Sequence, residues 1–160
     1  MAQTYDETLA KSPIGSELAR EECETLAPIM KHRTLSDGEI LFREGDTDDT
    51  LYIAAAGRLE VTRDVGGGEH VTLHVLKPGD LAGEMAFVDG HPHSATLRAL
   101  GDAEVMELHR ADLERLIESH PWIVYKVMKA IIRSVHGTLM RMNQQYVEMT
   151  NYISRAHGRY

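Results

Sequence analysis

Residues 83–99 read GEMAFVDGHPHSATLRA, and the small residues in this stretch decide what shape it can take. Gly83 and Ala86, at the start of a short helical turn, let backbone N–H groups come close to an anion, as they do at a helix N-terminus. The run Gly83-Glu84-Met85-Ala86 therefore reads as a phosphate cradle. A lone carboxylate inside it would repel a phosphate, so Glu84 fits only as an acceptor for a neutral hydroxyl such as a ribose 2′-OH. A surface acid on a turn is the plainer alternative.

On either side of this stretch the chain alternates β-prone runs with turn signals. The runs are Ile40-Leu41-Phe42, Leu51-Tyr52-Ile53, Leu59 to Thr62, Val71 to Leu76, Ala95 to Ala99 and Ala103 to Leu108. Between them stand Asp37-Gly38, Glu44-Gly45-Asp46, Gly57, Gly66-Gly67-Gly68, Pro78-Gly79-Asp80 and Asp89-Gly90. Turns at intervals of roughly ten residues predict many short antiparallel strands, most economically packed as a barrel or sandwich closed on itself. Upstream, residues 16–31 (SELAREECETLAPIMK) predict a short amphipathic helix with Ser16 as its N-cap. Downstream, Leu113, Leu116 and Ile117 share one face of a helix over 110–119, and Pro121 starts another. In that last helix Met128, Ile132, Val135, Leu139, Met142, Tyr146, Met149 and Ile153 alternate by four and three residues. Such a seam calls for a partner helix, and a parallel homodimer is expected. The chain divides into a helical segment (1–32), a β-barrel with the cradle and a short helix (33–119), and a coiled-coil helix (120–160).

The chain has 160 residues, enough to bury a core without staples, and its single cysteine, Cys23, excludes an internal disulfide framework and fits a reducing cytoplasm. No apolar run is long enough for a membrane span, and Asp6 and Glu7 stand where a secretory signal would carry positive charge. A formal net charge of −8 works against nucleic acid as a partner. The basic residues from Arg133 to Arg141, with Arg155 and Arg159, read as a solvated helix face.

The turns at Asp37-Gly38-Glu39, Glu44-Gly45-Asp46 and Lys77-Pro78-Gly79-Asp80, the run Leu51-Tyr52-Ile53 with Gly57, and above all Gly83-Glu84-Met85-Ala86 together resemble the cyclic-nucleotide-binding domain family from about Leu26 to Tyr146. The order of helices and the heptad helix look most like its catabolite-activator type. The resemblance implies a jelly-roll (double-stranded β-helix) barrel, mainly β with flanking helices, followed by a long dimerisation helix. It implies a sensor rather than an enzyme, with cyclic AMP or cyclic GMP as effector, cyclic AMP first, and no cofactor or metal. Glu84 takes the ribose role, Ser94 and Ala95 belong to the phosphate end, Val61, Leu73 and His74 face the purine, and Thr138 reaches the base edge from the long helix. Core packing explains Val61 and Leu73 equally well, and a threonine tolerated on a helix surface explains Thr138.

One departure stands out. The family cassette ends Pro-Arg-Ser/Thr-Ala, with the arginine on the cyclic phosphate, and this chain has Pro92-His93-Ser94-Ala95. An imidazole offers a given anion one N–H and is mostly neutral at neutral pH, so replacing a bidentate guanidinium is expected to cost about 1.5–3 kcal/mol of binding. Any binding through His93 is expected to strengthen as pH falls, because an anion favours the protonated ring. Two readings from other classes stay open: a degenerate domain kept for dimerisation and protein interaction, and a metal or haem site built on His91, His93 and His74. Nothing supplies a nucleophile with a positioned base, paired carboxylates or a phosphate loop with its lysine, so no catalytic residue is expected. The sequence reaches only Tyr160, without the helix-turn-helix of catabolite-activator regulators, so a signal is expected to pass to another protein rather than to DNA.

Overall fold

The structure is a computed structural model and describes residues 5–158. Helix α1 (Tyr5–Lys11) and helix α2 (Arg20–Leu26) precede a 3-10 turn at Ala27–Ile29. The helix predicted from Ser16 starts four residues later. Ser16 lies in a turn, with its Oγ donating to Pro13 O (2.8 Å), and the start of α2 is fixed instead by Glu22, which accepts the Ala19 N–H at 2.9 Å. A carboxylate reaching back one turn serves the same orphan donor that an N-cap hydroxyl serves on its own turn.

The body is one antiparallel sheet of six strands: β1 (Lys31–Leu35), β2 (Ile40–Phe42), β3 (Thr50–Gly66), β4 (Glu69–Leu76), β5 (Leu81–Ala82) and β6 (Thr96–His109). The order is β1-β6-β3-β4, with β2 also on β6 and β5 also on β3. The jelly-roll-like sheet is not closed by hydrogen bonds: β1 and β4 remain its edges. Four predicted short strands also merge into two long ones. Leu51-Tyr52-Ile53 and Leu59 to Thr62 are both β3, and Ala95 to Ala99 with Ala103 to Leu108 fall largely in β6, because Gly57 and Gly101 bend the chain without ending it. At Gly57 (φ 74) the pairing register with β6 shifts on either side of Ala56, and a Cβ would collide with the carbonyl oxygen of Asp102. The strand continues through a bulge that only glycine fits.

Where β3 and β6 cross they are buried on both faces, as the period-two alternation requires. Leu51, Ile53, Met106 and Leu108 point to a core shared with Leu9, Ile14, Leu26, Ile123, Val127 and Ile131 of the helical layer. Tyr52, Ala54, Ala103 and Val105 point the other way, into an interior core with Leu35, Leu41, Leu59, Leu76 and Leu97.

Helix α3 (Glu84–Asp89) follows β5, α4 (Arg110–Glu114) follows β6, and Pro121 opens α5 (Pro121–His157). The first three turns of α5 are part of the domain, through Ile123, Val127, Ala130 and Ile131, with the partly buried Met128 against the same core. Ion pairs of Lys126 with Glu22 and of Lys129 and Arg133 with Glu17 tie it to the N-terminal segment, so Arg133 is not simply solvated. From Ile132 on, all of α5 is exposed except Ser134, Thr138 and Arg141. Ile132, Val135, Leu139, Met142, Tyr146, Met149 and Ile153 lie bare, Leu139 at 54 % exposure. Among the described residues no helix is long and apolar enough to cross a membrane.

Candidate functional site

The cradle is shaped by Gly83. It is the N-cap of α3 in the left-handed conformation (φ 77), and a Cβ there would stand 2.9 Å from Thr50 O and 3.0 Å from Cδ2 of Tyr52. Glycine is therefore required twice, by the backbone and by the packing. It sets Glu84 at the first position of α3, leaves Met85 exposed, and turns Ala86 and Phe87 inward, where Phe87 anchors the short helix in the helix-side core. Gly90 (φ 75) ends it.

Glu84 is not a solvated surface acid. Its Oε1 accepts a hydrogen bond from Ser134 Oγ of α5 at 2.9 Å, so the cassette carboxylate and the long helix are in direct contact. Ser134 was not among the residues expected at the site. A signal for it existed, because it lies one helical turn before Thr138 and thus on the same face.

His93 is placed differently from the expectation of a ring offered to phosphate. Its side chain is only 4 % exposed, Nε2 lies 2.8 Å from Asp48 Oδ2, and the ring stacks on Phe42 with centroids 3.6 Å apart and planes inclined by 11°. Tyr52 donates its phenolic hydrogen to the same oxygen of Asp48 at 3.0 Å. Burial, and then the Asp48 carboxylate, push the Tyr52 phenol well above its usual range, so it stays protonated and donates. The backbone is clamped as well: Gly45 N–H donates to His93 O and His93 N–H to Asp46 O, both at 2.8 Å, and Glu44 N–H donates to Thr96 Oγ1 at 3.0 Å. The Tyr52 ring that abuts Gly83 thus continues through Asp48 to His93 and Phe42, a strut inside the barrel. Ser94 is exposed and Ala95 buried beside it. His91 turns outward to Asp89 (3.2 Å), so the two histidines of His91-Pro92-His93 diverge.

On the opposite wall, Val61 of β3 is half-buried against the interior core and pairs with His74 of β4. Between the pairs Val61–His74 and Thr62–Thr72 the register shifts, leaving Leu73 as the extra residue of a bulge, 49 % exposed. A bulge re-aims a side chain out of the alternation. Burial first, and then the cation of Arg141 on α5, hold His74 below the ordinary histidine range, with Lys77 acting the same way and Asp80 opposing. The environment of His74 thus favours the neutral imidazole. Thr138 is half-buried on the same helix face. The structure brings Glu84 together with α5, and His74 near α5. It sets His93 apart, in the strut.

Comparisons with known proteins place this sheet and its long helix in a known family. The family model of the cyclic nucleotide-binding domain matches residues 32–120. The cyclic AMP receptor protein of Thermus thermophilus is 33% identical over 122 residues, 76% of this chain and 56% of that protein. A cAMP-dependent protein kinase regulatory subunit of Dictyostelium discoideum is 35% identical over 115 residues, 70% of this chain and 35% of that protein. The chain thus spans between about a third and a little over half of the length of these relatives. Among solved structures, a cyclic nucleotide-binding domain from Methylobacillus flagellatus shares the fold with a TM-score of 0.84 at 22% identity, covering 91% of this chain and 84% of that one. The chain belongs to the cyclic nucleotide-binding domain family.

Proposed function

We propose that the chain is a regulatory sensor that binds a cyclic purine mononucleotide between the cassette 83–95 and the 134–141 face of α5, and signals through a dimer of α5 helices to a protein partner, in the cytoplasm and without catalysis. The observation that carries this reading is the Ser134–Glu84 hydrogen bond of 2.9 Å. A ribose hydroxyl arriving at Glu84 shares its carboxylate with Ser134, and where it takes Oε1 it displaces the contact with α5, so occupancy and helix position are coupled. The apolar seam supports the dimer: seven large side chains spaced by four and three residues, from Ile132 to Ile153, lie exposed on a helix anchored in its own domain only up to Arg141. The names of the relatives speak for cyclic AMP as effector.

Calorimetric titration of cyclic AMP and cyclic GMP into the wild type and Glu84→Gln tests the reading. Saturable binding, weakened about tenfold or more when the acceptor carboxylate becomes an amide, supports it. Unchanged affinity in Glu84→Gln removes Glu84 from the site.

One observation favours the second reading, a dimerisation module that binds no nucleotide. The imidazole that replaces the family arginine is buried, stacked on Phe42 and tied to Asp48, so its ring is not offered to a phosphate. Absence of heat with either nucleotide, together with a stable dimer, decides for that alternative.

A further inference from the structure

The two ends of the cassette 83–95 meet at one carboxylate. At the start, Gly83 packs on the Tyr52 ring so closely that a Cβ would stand 3.0 Å from Cδ2, and the Tyr52 hydroxyl donates to Asp48 Oδ2 at 3.0 Å. At the end, His93 Nε2 lies 2.8 Å from the same oxygen, while its backbone is clamped to Gly45 and Asp46. The other oxygen, Oδ1, accepts the Thr50 N–H at 3.1 Å. Asp48 therefore closes the neck of the loop with both of its oxygens engaged from inside the chain. Its charge partner is an imidazole, and among the described residues no lysine or arginine forms an ion pair with it. A negative charge without a permanent cation thus stands at the neck of a loop read as an anion cradle.

We infer that Asp48 is an internal anion that opposes the phosphate of a bound nucleotide and thereby limits how tightly the cassette holds it. This rests on the reading of the cassette as a cyclic-nucleotide site and adds to it a residue that sets its affinity. Two effects act in the same direction. The carboxylate occupies the ring nitrogen at this end of the loop, so a phosphate arriving there must do without it. It also repels the phosphate through space, and between unit charges near a protein surface that repulsion reaches well beyond hydrogen-bond distance. The carboxylate gives the ligand no hydrogen bond in return, because its acceptor positions are taken by Thr50, Tyr52 and His93.

The test is calorimetric titration of cyclic AMP and cyclic GMP, which share the phosphate, into the wild type, Asp48→Asn, His93→Arg and the double variant, with urea unfolding confirming that each folds. Asp48→Asn is close to isosteric and removes the charge, so a merely structural role for Asp48 predicts unchanged or weaker binding. The expected result is the opposite, binding about threefold or more tighter than in the wild type. That gain shrinks as sodium chloride rises from about 0.1 M to about 1 M and the screening length falls from about 10 Å to about 3 Å. His93→Arg gains less affinity alone than in the Asp48→Asn background, because Asp48 captures the new guanidinium; if the arginine prevents folding, Asp48→Asn decides by itself. Equal or weaker binding by Asp48→Asn at the lower salt overturns the inference and leaves the site reading standing. So does a gain from His93→Arg that is the same in both backgrounds. Binding by Asp48→Asn where the wild type binds nothing supports the inference and makes the wild type a pocket silenced at this residue. Failure of every folded variant to bind overturns both.

Discussion

The sharpest consequence of the structure concerns His93 and Asp48, because a cradle-facing imidazole and a buried strut predict opposite outcomes for fold stability. His93→Ala removes a hydrogen bond to a carboxylate, generally worth about 1.5–3 kcal/mol. Asp48 is 26 % exposed, which places the contribution in the lower half of that range. The substitution also removes a stacked ring contact with Phe42, about 0.5–1.5 kcal/mol, so His93→Ala is expected to destabilise by about 2–3.5 kcal/mol. Asp48→Ala loses the same pair and in addition strands the Tyr52 hydroxyl, which inflates the single-variant cost. The double-mutant cycle of His93→Ala with Asp48→Ala, carried out in a Tyr52→Phe background to silence that hydroxyl, isolates the pair. Urea unfolding at one fixed protein concentration is the assay, since a dimer's stability depends on concentration. The expected coupling is about 1.5–2 kcal/mol. A coupling below about 0.5 kcal/mol, with His93→Ala within the same margin of wild type, means the ring is not held by Asp48, and the strut is refuted.

Three further outcomes follow from particular contacts. Leu139→Glu sets two carboxylates against each other across a parallel helix pair, and sedimentation velocity should show a folded monomer where the wild type is a dimer; a monomeric wild type, or a dimeric variant, removes the seam as an interface. Gly83→Ala forces a side chain into the left-handed region and against Thr50 O and the Tyr52 ring, costing at least about 1–2 kcal/mol in urea unfolding; an unchanged midpoint contradicts the close approach. His74 titrates below the ordinary value of 6.5 in the folded chain, so the unfolded state binds the additional proton and stability contributed by the neutral ring is lost as pH falls below 6.5. The loss of stability from pH 7 to 5.5 should accordingly be shallower in His74→Gln than in the wild type, and parallel curves would sink the assignment.

The β-prone runs between closely spaced turn signals made the strands legible, and the four-three pattern from Met128 to Ile153 made most of α5 legible, because a repeat of apolar positions marks one side of a backbone. Strand ends were less legible. Gly57 and Gly101 look like turn signals in a sequence, yet both sit inside strands, because a positive-φ glycine can bulge a strand as readily as end it. In the site, Gly83 and Glu84 could be read locally, since a glycine that opens a helix and the acid after it are neighbours. The partners of Glu84 and His93 could not: Ser134 is 50 residues from the one and Asp48 45 from the other. Asp48 sits in an acidic run with Asp46 and Asp49, and nothing in that run distinguishes the aspartate that turns inward. The departure from the family arginine was visible, but its consequence depended on a carboxylate that only the fold brings near.

Under the proposed mechanism, the two faces of α5 let a weak local exchange at the pocket act as a signal. Ser134, Thr138 and Arg141 look inward, while Ile132, Val135, Leu139 and Met142 interleave with them and look outward, on a single rigid helix. A change that releases Ser134 from Glu84 cannot be absorbed by a loop between the two faces, since none exists over these residues. The release of one hydrogen bond to this part-buried carboxylate belongs at the low end of the range for charged acceptors, about 1.5 kcal/mol, and in the proposed dimer two symmetric sites give about 3 kcal/mol together. That moves an equilibrium between two helix arrangements by somewhat over a hundredfold. Such a shift is typical of coupling between distinct sites, and it requires no change in the sheet. The domain-facing anchor of α5, from Ile123 to Ile131, is buried in the core, so the proposed mechanism confines helix movement to the part beyond Ile131. That is where the polar inward face and the bare seam both begin.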